Sequence, residues 1–278
     1  MARRALLIGI NRYRIPGADL RGCVNDVKNM RRTLVKYCGF KARDIRVLTD
    51  FGATKKAMQA AIAALVAKGR KDDVLYVHYS GHGSNVPDRN GDEADRRDEI
   101  LCPTDLDWKD PLADDWLRTT FNKLKPGVRL TVVMDCCHSG TNTRAIASPD
   151  APVINRYLPS PWDIMAQESR RRLRGTVKGT LRKSRRAARR RSDVLEANIG
   201  EVLITGCRDT QTSADAYIGG SYNGALTYSL VAAIREAKGK LSNRELHAKT
   251  LAKLKQQDFD QVPQLEARKP AFDRPFLA

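Results

Sequence analysis

Two residues of this chain have the types and setting of a nucleophile and its base. Cys137 lies in VVMDCCHSG and His82 in VHYSGHGS, 55 residues apart. An imidazole beside a thiol takes up its proton or holds the sulfur as a thiolate, and later protonates a departing amine. Gly81 and Gly83 flank the histidine and Gly140 follows the cysteine. Small residues there let backbone N–H groups approach a developing oxyanion, and those of Gly83 and Cys137 are the expected donors. Taken singly, a buried cysteine is more often a small core hydrophobe and a histidine a satisfied polar residue. Two such residues at adjacent strand tips, each bracketed by small residues, are harder to assign to packing. His78, inside the apolar run VLYVHYS, is expected in the core, and His138, directly after the nucleophile, is expected to be structural.

The elements that must bring the pair together follow from hydropathy. Continuous apolar runs at 5–10, 45–48, 74–79, 130–134 and Val202–Thr205 read as buried strands, because their polarity does not alternate. Segments 24–37, 54–68 and 114–124 have helical period, and the middle one carries Thr54 as N-cap and Gly69 as stop. Strand alternating with helix predicts an α/β fold, a mostly parallel central sheet with helices on both faces. Functional loops then gather at the carboxyl ends of the strands, where the third and fourth runs end in the His82 and Cys137 motifs. A helix near 224–237 and another at 243–256 are expected after the fifth strand.

The segment 148–199 breaks this rhythm. It opens with Pro149, Pro152, Pro159 and Pro161 and lacks a sustained apolar face, so it reads as a long inserted loop, partly mobile. It separates a large catalytic segment, 1–147, from a small one, 200–278, that completes the same domain. It also holds the charge. The chain has 50 Lys and Arg against 32 Asp and Glu, a formal net charge of +18. Twelve of those bases (Arg170, Arg171, Arg172, Arg174, Lys178, Arg182, Lys183, Arg185, Arg186, Arg189, Arg190 and Arg191) fall in 170–191 with no acid among them, leaving 38 against 32, or +6, for the rest. The basic character therefore belongs to one segment rather than to a folded surface, which weakens a nucleic-acid footprint. The run also lacks the aromatics of a base-stacking platform.

An apolar fraction of 41%, near 48% once the 19 glycines are added, excludes wholesale disorder. No apolar stretch is long enough for a bilayer, and no signal peptide or membrane anchor is expected. Six cysteines without a CxxC pair, in a chain large enough to have a core, fit a reducing compartment rather than a disulfide scaffold. A cytoplasmic location and a monomer are the expectations.

The motifs together resemble the caspase–haemoglobinase clan of cysteine peptidases, and within it the metacaspases and their bacterial relatives. The matching pieces are ALLIGINRY, LRGCVNDV, YVHYSGHGS, GDEADRRDE followed by ILCPTD, VVMDCCHSG, ITGCRDTQTSADA and GALTYSL. The resemblance implies a caspase-like three-layer sandwich, a His82–Cys137 dyad, and Cys136 where many relatives carry Ser. It implies a primary pocket of Cys23, Asp26, Ser80 and Asp135 that accepts Arg or Lys before the cut bond. That is coherent chemically, since Asp26 follows the first strand and Asp135 ends the fourth, so both carboxylates can face one cavity and a guanidinium can bond both. The competing reading of Asp26 is a first-turn carboxylate favoured by the helix dipole. No cofactor is required for the chemistry. Resemblance to calcium-activated members nominates Asp98, Asp114 and Asp115 for Ca²⁺, but the further acid that such members carry is Arg144 here. The expected partners are proteins or peptides with basic residues, and the link between large and small segments is where relatives are processed, so the run 170–191 is the expected self-cleavage region. The alternative from a different class is a nucleic-acid or acidic-partner binding protein on an idle scaffold. A third option is a regulatory pseudo-protease, and retention of both His82 and Cys137 argues against it.

Overall fold

The computed structural model describes residues 1–88, 97–138, 152–176, 202–208 and 211–277. Its main sheet has six strands: β1 (Arg3–Gly9), β2 (Ile45–Thr49), β3 (Val74–Ser80), β7 (Arg129–Asp135), β9 (Val202–Thr205) and β12 (Gln264–Ala267), in the order β12-β9-β7-β3-β1-β2. All neighbours are parallel except the β12–β9 edge pair. The five strands expected from apolar runs are thus present, each within about two residues of its expected bounds.

Burial on both sides of the sheet explains why these runs do not alternate. Along β1, Leu6 and Ile8 point into one apolar cluster with Met58, Ile62 and Leu65 of α2 (Lys55–Lys68), while Ala5 and Leu7 point into another with Val27, Met30 and Leu34 of α1 (Cys23–Tyr37). Helices α5 (Ala225–Glu236) and α6 (Asn243–Gln256) cover the second face with α1, and α3 (Asp114–Phe121) joins α2 on the first. Thr54 caps α2 by accepting from the Ala57 amide, and Ser242 with Glu245 forms a reciprocal capping box on α6. No helix among the described residues is long and apolar enough to cross a membrane.

Several elements do not appear in the sequence reading. A small sheet of β4 (Gly83–Pro87), β5 (Arg97–Leu101) and β6 (Leu112–Ala113) follows the His82 motif, and another joins β8 (Val153–Asn155), β10 (Ala214–Ile218) and β11 (Ser221–Gly224). The expectation of a structureless insertion is therefore corrected for its first part. Residues 153–155 add a strand to β10 in antiparallel register, Asn155 opposite Ala214. The chain then turns into α4 (Pro161–Thr176), where the Ser160 hydroxyl accepts from the Asp163 amide and donates back to its carboxylate. Prolines at 159 and 161 limit α4 only at its start, where a missing N–H costs nothing.

The path from β1 into α1 sets one steric condition on the site. A Cβ at Gly9 would lie 2.5 Å from the Cys23 carbonyl oxygen and 2.6 Å from Val27 Cγ2. Glycine thus lets the first turn of α1, which carries Cys23 and Asp26, press onto the strand tip. Asn11 fastens the same turn by accepting from the amides of Cys23 and Val24 at 2.8 and 3.3 Å. Gly9→Ala is expected to cost about 1–3 kcal/mol through overpacking, read as a lower urea midpoint at unchanged m-value. A midpoint equal to wild type would show that the helix yields freely.

Candidate active site

In the parallel sheet Ser80 pairs with Asp135, so β3 and β7 end side by side and deliver His82 and Cys137 to one edge. His82 is locked on several sides. Its amide donates to the Tyr13 hydroxyl at 2.8 Å, Tyr79 donates to its carbonyl at 2.6 Å, and ring Nε2 lies 2.8 Å from the Ala18 carbonyl. Nδ1 is buried with no hydrogen-bond partner. Burial lowers the imidazole pKa to about 4, with the Arg156 charge adding to the drop and the Ala18 carbonyl opposing it, so the ring is neutral at pH 7. Cys137 is buried, and its sulfur accepts from the Ser213 amide and lies 3.3 Å from Cys207 Sγ.

His78 and His138, the other histidines of these motifs, both have protein partners. His78 is fully buried within the sheet core, beside the Thr227 hydroxyl. His138 is structural: Nδ1 pairs with Glu99 of β5 at 3.2 Å and Nε2 meets Cys136 Sγ at 3.6 Å. Cys136 is thereby turned to a different partner from Cys137.

The cleft holds a residue that the sequence reading did not single out. Arg156, immediately after β8, is completely buried. Its guanidinium donates to Ser80 Oγ at 2.7 Å and Asp26 Oδ2 at 2.8 Å, and pairs with Asp135 Oδ2 at 3.2 Å. Asp215 of β10 stands 4.0 Å away. Three of the expected pocket residues, Asp26, Ser80 and Asp135, therefore do converge on a guanidinium. Cys23, at the head of α1, is buried in the apolar cluster and also lies against these residues, beside Ser80 and within reach of the Arg156 charge. Asp26 also sits in the first turn of α1, so the helix-dipole reading and the pocket reading both describe it.

The pocket is completed by residues in motifs that were quoted without roles. Thr227 donates from its amide and its hydroxyl to Asp135, Ser213 donates to Asp135 Oδ1, and the Gly224 amide donates to Asp26. The amides of Arg21 and Gly22 donate to Asp215. A Cβ on Gly224 would run into both Arg156 Nη1 and Asp135 Oδ2, so only glycine leaves the guanidinium its space. Electrostatics agree with the geometry. Burial pushes the Asp26 carboxyl up to about 7 against the pull of Arg156, and the like charge of Asp135 adds to the rise. Burial works against the Arg156 cation, but Asp135 and its companion acids outweigh it and hold the pKa above the ordinary arginine value.

The backbone of Arg156 is placed as deliberately as its side chain. Its carbonyl oxygen accepts from the Gly83 amide at 3.0 Å and the Cys137 amide at 3.2 Å, the two donors expected of an oxyanion site. Its amide donates to the Ser213 carbonyl at 3.0 Å. Beyond it, the Leu158 amide donates to the Gly83 carbonyl and Ser84 Oγ to the Leu158 carbonyl. The strand 153–158 thus runs through the cleft on both sides of the Arg156 carbonyl.

Comparisons with known proteins show the family. The family model described as "Metacaspase, peptidase C14 domain" matches residues 3–145, which contain both His82 and Cys137. The chain belongs to the metacaspase family. Over 259 residues it is 36% identical to Metacaspase-1A of Aspergillus fumigatus, covering 84% of this chain and 61% of that protein, and over 257 residues it is 35% identical to Metacaspase-1B of Neosartorya fischeri, covering 84% and 62%. The metacaspase chain here thus spans about six tenths of the length of these relatives. Among solved structures, a Geobacter sulfurreducens protein aligns with a TM-score of 0.70 at 26% identity, covering 100% of this chain and 99% of that one. Caspase-1 from Spodoptera frugiperda aligns with a TM-score of 0.59 at 14% identity, covering 95% and 86%, and shows that the fold is caspase-like.

The acids nominated for calcium lie at the other small sheet. Asp98 is on β5, while Asp114 and Asp115 open α3 just beyond β6, and Asp115 pairs with Arg118. Among the described residues no three acids, histidines or cysteines gather into a cation-sized group. The described residues alone do not fit a calcium cage. Arg144 and the acids at 92, 93 and 95 lie outside the described residues, as does most of the basic run.

Asp135 ties the side-chain and backbone halves of the cleft together. Removing one charged hydrogen-bond partner is worth about 1.5–3 kcal/mol, so Asp135→Ala is expected to speed hydrogen exchange of the Arg156 amide roughly tenfold or more. Unchanged protection would mean that β8 is held by strand pairing alone.

Proposed function

We propose that the protein is a cysteine endopeptidase that cuts peptide bonds after Arg or Lys, with Cys137 as nucleophile and His82 as general base. What supports this reading most is Arg156, a basic residue whose side chain fills an acidic pocket while its carbonyl rests on two backbone amides beside the dyad. A substrate arginine docked the same way would be cut as follows. His82 Nδ1 takes the Cys137 thiol proton, and the sulfur attacks the carbonyl carbon. Negative charge moves to the oxygen held by the Gly83 and Cys137 amides, and the imidazolium protonates the departing amine as the bond breaks. Water then hydrolyses the thioester, returning the proton and the free thiol.

The same geometry bears on self-processing. Arg156 occupies its own cleft in the pose just described, so the Arg156–Tyr157 bond is the proposed principal cut. This moves the expected site upstream of 170–191. The intact strand blocks the cleft until it is cut or displaced. Calcium activation through Asp98, Asp114 and Asp115 is not required by this scheme, and equal rates in EDTA and in millimolar Ca²⁺ are expected.

Two measurements test the proposal. Fluorogenic peptides ending in Arg and Lys should be turned over and one ending in Asp should not, with Cys137→Ala and His82→Ala inactive, Cys136→Ala active, and the Cys137–His82 double variant no worse than either single one. Asp135→Ala should lose about 2–5 kcal/mol of transition-state stabilisation toward Arg peptides, and preferential cutting after Asp would reject the acidic pocket. Mass spectrometry of the incubated wild type should reveal a new N-terminus at Tyr157 that is absent from Cys137→Ala. Fragments ending only within 170–191 would return the processing site to the basic run.

A further inference from the structure

The proposed hydrolysis makes no use of Cys207, yet this residue stands beside the nucleophile. β9 runs parallel to β7 with Thr205 opposite Met134, so the two strands end together and the chain beyond β9 brings Cys207 to the chain beyond β7. The two sulfurs are 3.3 Å apart and neither cysteine is in a disulfide. A disulfide bond is about 2.05 Å long, so closure requires an approach of roughly 1 Å. Neighbouring Cys136 also lies near Cys207, but its sulfur is 3.6 Å from His138 Nε2. The two sulfurs also differ. Cys137 Sγ is buried and accepts the Ser213 N–H, whereas Cys207 is partly exposed and rests on the Gln211 carbonyl.

We propose that Cys137 and Cys207 form a reversible disulfide when the protein meets a peroxide, with Cys207 as the resolving thiol. The proposal rests on Cys137 being the reactive thiol of the function argued above. The Cys137 thiolate attacks a peroxide oxygen, the O–O bond breaks, and with one proton taken up the products are Cys137 sulfenic acid and water. The Cys207 sulfur then displaces hydroxide from the sulfenic sulfur and gives up its own proton, so a disulfide and a second water form. Peroxide has gained the two electrons that the two thiols have lost, and a dithiol reductant reverses the state. Without a neighbour, a sulfenic acid proceeds to the irreversible sulfinic acid. Cys207 therefore both silences the nucleophile and protects it.

The test uses the full chain treated with hydrogen peroxide and mapped without reduction. The expected product is a peptide pair joined through Cys137 and Cys207, lighter by two hydrogens and still formed in Cys136→Ser. Wild type should lose activity toward an Arg peptide and regain it with dithiothreitol. Cys207→Ser should start at wild-type activity but lose it permanently, with Cys137 found as the sulfinic acid. Absence of the 137–207 link in wild type, a link through Cys136 instead, or equal recovery of Cys207→Ser would overturn the proposal. The cross-link is read by mass alone, so it is separable from the peptidase reading: a link without peptide turnover would fault that reading and leave this one standing.

Discussion

A guanidinium with no access to water needs fixed counter-charge, and much of the organisation at this sheet edge follows from that need. Arg156 is held by carboxylates from three separated parts of the chain: Asp26 in the first turn of α1, Asp135 at the end of β7 and Asp215 in β10. A buried ion pair is not in itself a strong source of stability, because desolvation offsets much of the attraction, whereas removing one partner is expensive. The value of the arrangement lies in specificity. Acids of like sign packed together in a closed site favour a cation, and a planar fork of donors fits the Ser80, Asp26 and Asp135 oxygens better than a point charge does.

The pocket has its present shape only because the backbone around it is also satisfied. Each acid receives further donors, Asp135 from Thr227 and Ser213, Asp26 from Gly224, Asp215 from Arg21 and Gly22. These donors come from both the large and the small segments, so the pocket exists only when 1–138 and 211–277 fold on one another. The strand 153–155 then adds to β10 as a peptide ligand adds to an exposed sheet edge, with main-chain bonds supplying attachment and the Arg156 pocket supplying selectivity. The carbonyl that follows falls on the Gly83 and Cys137 amides because β3 and β7 end in register.

Much of this was legible in the sequence, for identifiable reasons. Strands buried on both faces left continuous apolar runs, and α2 carried a side-chain cap at Thr54, so five strands of the main sheet and its helices could be read directly, while the edge strand β12 could not. His82, Cys137, Asp26 and Asp135 stood in motifs at the ends of those runs. Arg156 was not legible. It sits in INRYLPS, just after a three-residue strand whose partner is some 60 residues away, and arginine is a residue type that is rarely fully buried. The conspicuous basic run downstream drew attention away from it. Asp215, Ser213 and Gly224 lay in quoted motifs, but their roles depend on a guanidinium supplied from elsewhere in the chain. The short strands β4, β5 and β6 carry too few residues to show a period.

The central claim is that Arg156 fills the cleft as a substrate residue would and must leave before another can enter. Progress curves for cleavage of an Arg peptide test it most directly, comparing freshly purified wild type with Arg156→Gln, which keeps side-chain length but removes the cation. The account predicts a lag in wild type that shortens as processed chains accumulate, and immediate turnover in Arg156→Gln. Immediate, equal rates in both proteins would contradict it.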